Sequence, residues 1–63
     1  MSVSQYITME RLVRARFMLQ QGEPVVTAAE ECGFADSAYF IRVFRKYYSM
    51  TPAMYRRQCS ESP

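Results

Sequence analysis

Apolar positions set the first expectation. In SVSQYITMERLVRARFMLQQG, Leu12, Ala15 and Leu19 recur at spacings of three and four and mark one face of a helix. Tyr6, Met9, Val13 and Phe17 form a second apolar row, about 90° or more around the same helix. Only a narrow strip with Glu10, Arg14 and Gln21 stays polar. Ser2 followed three residues on by Gln5 is a capping-box pattern, and Gly22 is a C-terminal stop. A surface helix of a small domain needs one apolar face. Either both rows enter this chain's own core, or the second packs on something outside it, an upstream domain or another subunit. The chain opens on the cap residue without a lead-in, as a segment of a longer protein would.

Further along, Val25, Ala28, Ala29 and Cys32 give the inward side of a second helix, with Pro24 in its first turn. Gly33 follows, and Phe34 returns to the core. Asp36 or Ser37 caps a third helix running to about Tyr48, whose inward row is Phe40, Val43, Phe44 and Tyr47. Thr51 before Pro52 starts a short fourth helix that carries Met54 and Tyr55 inward. The pattern predicts no strand. The chain reads as all-α, a small homeodomain-like bundle of about four helices. A first helix is expected over 1–21, a helix-turn-helix over 24–48, a terminal helix over 51–58 and a flexible tail over 58–63.

Composition narrows the function classes. Sixty-three residues make one small domain, and a chain of that size is marginally stable alone. There is no histidine and no CxxC, so neither a metal site nor a cofactor is expected. No paired carboxylates converge, and there is no room for a catalytic cleft, which argues against an enzyme. No apolar run reaches the length of a membrane span, and no signal-peptide pattern opens the chain. Cys32 and Cys59 read as free thiols in a reducing, cytoplasmic setting. The net charge of +2 permits a nucleic-acid partner without demanding one, so the distribution of charge decides.

That distribution follows from the turn. Helix, glycine-containing turn, helix is the helix-turn-helix arrangement. Ala29, four positions before Gly33, lets the helices cross closely; Gly33 tightens the turn and Phe34 plugs the wedge. With Phe40, Phe44 and Tyr47 inward, Ala38, Ile41, Arg42 and Arg45 point away from the core, flanked by Ser37, Tyr39 and Lys46. A helix entering the DNA major groove needs small leading residues, a long donor for guanine and cations for phosphate. Ser37 and Ala38 lead, Ile41 suits a thymine methyl and Arg42 suits guanine. Arg45 and Lys46, with Tyr39 beside them, suit phosphate. A solvated basic face is the alternative. Thr27, near the start of the second helix, reads equally as a phosphate contact or as an ordinary first-turn residue. Arg56 and Arg57 are expected late in the last helix, complementing its dipole with or without DNA.

YITMERLVRARFML, PVVTAAEECGFADSAYFIRVFRKYY and TPAMYRR resemble the AraC/XylS family of bacterial transcription regulators. The signature R-L-x-x-A falls on Arg11, Leu12 and Ala15. The central block falls on Ala28, Ala29, Gly33, Phe34, Asp36, Tyr39, Phe40, Arg42, Phe44, Arg45 and Lys46, and the last on Thr51, Pro52, Tyr55 and Arg56. The resemblance implies two helix-turn-helix units joined by a long helix, each with one recognition helix in the major groove. This chain looks like the joining helix plus the second unit. A first unit and an effector domain would lie upstream, and RNA polymerase is the implied partner besides double-stranded DNA. Base contacts would fall on Ser37, Ala38, Ile41 and Arg42.

Three positions depart from the family pattern. Ala28 stands where a larger aliphatic is usual, Ala38 where a polar residue is common, and Ser49 where a glycine precedes MTP. Two short residues at the leading end imply few direct base contacts and more reliance on DNA shape and phosphate. The competing function is a protein-interaction module acting through the Tyr6, Met9, Val13 and Phe17 row.

Overall fold

A computed structural model describes residues 2–61, with the side chain of Glu61 outside the description. Four helices follow one another: α1 (Val3–Gln20), α2 (Val25–Glu31), α3 (Ser37–Tyr48) and α4 (Pro52–Glu61). No strand occurs among the described residues. Among them, too, no helix is long and apolar enough to cross a membrane.

The sequence signals for the ends of α1 work as expected. The Ser2 hydroxyl accepts from the Gln5 N–H at 3.2 Å, and the Gln5 side chain accepts from the Ser2 N–H at 3.1 Å. At the other end Gly22 takes φ +90°. Its N–H donates to the Leu19 carbonyl at 3.0 Å, while the Glu23 N–H reaches back to Met18 at 3.1 Å. This is a Schellman stop. The end of α2 repeats it: Gly33 has φ +86°, its N–H donates to Glu30, and the Phe34 N–H donates to Ala29 at 2.9 Å. Hydrogen bonding thus ties the plug residue back to the crossing alanine and the turn glycine to its neighbour Glu30.

Asp36 caps α3, its Oδ1 accepting from the Ala38 N–H at 2.9 Å. Thr51 caps α4, its hydroxyl accepting from the Met54 N–H at 3.2 Å. Pro24 is the N-cap of α2, not a first-turn residue. Its extended ψ of 150° leaves only its carbonyl in the helix, where the Ala28 N–H donates to it.

The core gathers Leu12, Ala15 and Leu19 from α1 with Ala28, Ala29 and Cys32 around α2. Phe34 joins from the turn, and Phe40, Val43 and Phe44 from α3. Edge and tilted ring contacts run through it. Phe34 to Phe40 is 4.9 Å, Phe40 to Phe44 is 5.7 Å, and Phe44 meets Tyr48 at 4.7 Å and Tyr55 at 5.8 Å. Such pairs contribute about 0.5–1.5 kcal/mol each beyond the apolar area they bury.

Three further expectations fail, the first two for a packing reason. Tyr47 is not buried; it is 38% exposed and lines a cleft with Ser4, Gln5 and Thr8 from the start of α1. Tyr48 takes the inward place, against Phe44 and beneath the Arg16 guanidinium, 5.0 Å from its ring centroid. Met54 is 59% exposed, because the inward row of α4 is Pro52, Tyr55 and Cys59, at spacings of three and four. Finally, α4 runs on to Glu61, so the tail expected over 58–63 is helical as far as it is described; Ser62 and Pro63 lie outside the described residues.

The second apolar row of α1 does not join the core. Phe17, Tyr6 and Val13 are 60%, 56% and 50% exposed, and Met9 is half-buried. This chain's own helices cover the Leu12, Ala15 and Leu19 face only.

Candidate nucleic-acid interface

Two side chains fix the roll of α3 about its axis. Phe40 and Phe44, one turn apart, are fully buried. Side chains at i, i+4 and i+7 share a face, so Ala38, Arg42 and Arg45 must form a row on the opposite side. All three are exposed. Ser37 and Ile41 flank this row on one side, Tyr39 and Lys46 on the other, and all four are also exposed.

The outward face therefore holds Ser37, Ala38, Tyr39, Ile41, Arg42, Arg45 and Lys46 together on one 12-residue helix. Three of these are cations. Arg45 and Lys46 lie in the last turn, where they also face the negative end of the helix dipole. The nearest acid on the element is Asp36, whose carboxylate is turned to the cap.

Thr27 lies apart from this face. It is the third residue of α2 and half-buried. No side chain caps that helix start. Gly33 sits between the two elements with an arginine against it; a Cβ built there would come within 3.3 Å of the Arg11 guanidinium carbon.

On the other flank of α3, Tyr39, Val43, Lys46 and Tyr47 face Ser2, Ser4, Gln5 and Thr8 across a cleft of about 280 Å³. Lys46 is its one charged group. No local pattern announced the cleft, since its walls come from segments far apart in the chain.

Arg56 is not aligned with the dipole of its own helix. It sits in the middle of α4, where its Nη2 donates to the Gly22 carbonyl at 2.9 Å and its Nε to the Glu23 carbonyl at 3.0 Å. It ties α4 to the turn between α1 and α2 instead. Partners so remote in the chain leave no trace in local periodicity.

A two-helix unit with a glycine turn, a phenylalanine plug and an exposed cationic second helix defines a helix-turn-helix nucleic-acid-binding domain. A family model described as "Helix-turn-helix domain" matches residues 1–58. The chain belongs to the AraC-type helix-turn-helix family of transcription regulators, a DNA-binding and non-enzymatic family.

Curated relatives agree with that assignment. An uncharacterized HTH-type transcriptional regulator of Haemophilus influenzae is 39% identical over 61 residues, 95% of this chain and 20% of the relative. The HTH-type transcriptional activator RhaR of Mannheimia succiniciproducens is 44% identical over 57 residues, 89% of this chain and 21% of the relative. RhaR of Yersinia pseudotuberculosis is 41% identical over 64 aligned positions, 100% of this chain and 22% of the relative. The chain thus spans about a fifth of the length of these relatives. No solved structure matches it.

Proposed function

We propose that this chain binds double-stranded promoter DNA as one half of the DNA-binding region of an AraC-type regulator, with α3 in the major groove. The observation that carries the reading is the exposed row of Ala38, Arg42 and Arg45 opposite the buried Phe40 and Phe44. Small Ser37 and Ala38 let the helix approach the base edges. Arg42 is the guanine reader and Ile41 meets a thymine methyl. Arg45, Lys46, the Tyr39 hydroxyl and Thr27 hold phosphates.

The relatives' names extend the reading. Two are named as transcriptional activators, which points to activation through contact with RNA polymerase, in the cytoplasm. An upstream first helix-turn-helix unit and an effector domain would complete the protein.

Titrating the chain against a panel of duplexes across a salt series tests the docking. Arg42→Ala should relax preference at one base pair and cost about 1–3 kcal/mol of binding. Lys46→Ala should weaken all sequences alike and reduce the salt slope by about 1. If Arg42→Ala leaves sequence preference intact, α3 does not read bases as proposed.

A second reading is favoured by the uncovered row of Tyr6, Met9, Val13 and Phe17; its first three members border, with Glu10 and Arg14, a shallow depression of about 430 Å³. This face is a protein-interaction surface. Salt-independent DNA binding together with tight protein binding would favour it as the principal role.

A further inference from the structure

Arg16 and Arg42 each lie over an aromatic ring. Arg16 does so over Tyr48, on the domain's own flank. Arg42 does so on the outward face of α3, with its guanidinium carbon 5.7 Å from the centroid of the Tyr39 ring. That distance falls within the range of an attractive cation–π contact, about 6 Å.

The ring beneath Arg42 is itself held. Tyr39 lies 6.2 Å from Phe34 at a tilt of 46°. Phe34, the plug of the turn, is buried and lies 4.9 Å from Phe40. A continuous series of contacts therefore runs from the core through the turn to the guanidinium. An arginine that reads guanine must present a planar two-donor fork in one orientation. A long exposed side chain otherwise samples many rotamers and loses that freedom on binding.

We propose that the Tyr39 ring is a positioning residue for Arg42, pre-orienting the guanidinium for a base edge, a role separate from any phosphate contact of the Tyr39 hydroxyl. The proposal rests on the docking of α3 described above. Its consequence is specific: the ring of Tyr39 sets selectivity at the base pair that Arg42 reads, without contacting that base pair.

The experiment is a double-mutant cycle on the whole chain, with dissociation constants measured at fixed salt for duplexes varied at each base pair under α3. Tyr39→Phe keeps the ring and should preserve discrimination. Tyr39→Leu removes the ring and should reduce discrimination at the Arg42-dependent base pair by about two- to fivefold, leaving the other positions unchanged. With Arg42 already changed to Ala, Tyr39→Leu should have no further effect on discrimination there. Nitrogen relaxation of the arginine side chains in the DNA-free chain gives an independent measure. The Arg42 guanidinium should be more restricted than that of Arg45, and Tyr39→Leu should abolish the difference.

A loss reproduced by Tyr39→Phe would assign the effect to the hydroxyl and overturn the proposal. An equal loss from Tyr39→Leu in the Arg42→Ala background would do the same. If Arg42→Ala relaxes preference and Tyr39→Leu does not, only the positioning role falls. If Arg42→Ala itself changes no preference, the docking of α3 falls and takes the proposal with it.

Discussion

Arg56 hooks α4 onto Gly22: its Nη2 donates to the Gly22 carbonyl at 2.9 Å, and its Nε bridges to the Glu23 carbonyl at 3.0 Å. Both carbonyls belong to the turn from which α2 departs, so one side chain on the last helix fixes how the helix-turn-helix begins. Arg56→Met keeps the aliphatic stem and removes the fork. The site is exposed, so solvent screening holds the expected loss to about 1 kcal/mol. For a domain this small that corresponds to about 4–8 °C in a thermal melt. Arg56→Lys should recover less than half of it, because a point charge cannot serve both carbonyls in fork geometry. An unchanged melting temperature for Arg56→Met would show that the hook adds nothing.

The two glycine stops differ in their surroundings, and that difference is measurable. Gly22 and Gly33 both take positive φ, where a Cβ costs about 1–2 kcal/mol. Around Gly22 nothing lies within 4 Å of the added Cβ, whereas at Gly33 it would meet Arg11 at 3.3 Å. Gly22→Ala should therefore show strain alone, and Gly33→Ala strain plus displacement of Arg11. Denaturant melts should rank Gly33→Ala as the less stable. Adding Arg11→Ala to each should narrow the gap; a reversed ranking would refute this account.

Ser49 is the one described non-glycine residue with positive φ, at φ 61° and ψ 20°, and it ends α3. The AraC-type pattern carries glycine there. Ser49→Gly removes left-handed strain of about 1–2 kcal/mol but raises the freedom of the unfolded chain by about 0.4–1 kcal/mol. A net gain of about 0.5–1 kcal/mol is expected, read as a higher unfolding midpoint at unchanged denaturant slope. A lower midpoint would mean that the serine side chain stabilises the turn more than the strain costs.

The uncovered row on α1 should tolerate charge. Phe17→Glu should change the stability of this chain by no more than about 0.5 kcal/mol. Leu19→Ala, two residues on and fully buried, should cost about 2–5 kcal/mol. In sedimentation, Phe17→Glu should suppress any self-association of the chain at high concentration. Equal destabilisation by the two substitutions would place Phe17 inside the fold.

The cysteines should react unequally. Burial pushes the Cys32 thiol above its ordinary pKa, against an opposing influence of Arg14, and its sulfur lies 3.7 Å from that of Met18. Cys59 is free and half-buried. A raised pKa lowers the thiolate fraction at a given pH, and burial hinders approach of the reagent. Mass spectrometry of the native chain treated with an alkylating reagent near pH 8 should find Cys59 modified first, and Cys32 only as the fold opens. Prior labelling of Cys32 would contradict the packing.

Most of what a few adjacent residues govern could be read from the letters alone; Pro24, the N-cap of α2 and not the expected first-turn residue, is the exception. Helix caps and stops are decided within about four positions, so Ser2 with Gln5, Gly22, Gly33, Asp36 or Ser37, and Thr51 announced the four elements. The periodic aromatics of α3 announced its roll and hence its cationic outward row. Choices between equivalent local patterns belonged to the assembled fold. Tyr47 and Tyr48 are both apolar enough to be inward, and Met54 and Tyr55 both fit a short helix; only the neighbouring elements determine which one finds a partner. The same holds for Arg56 on the Gly22 carbonyl and for the bare second row of α1. A hydrogen bond or an uncovered face between segments distant in the chain depends on how helices stack, and no short window of sequence contains that information.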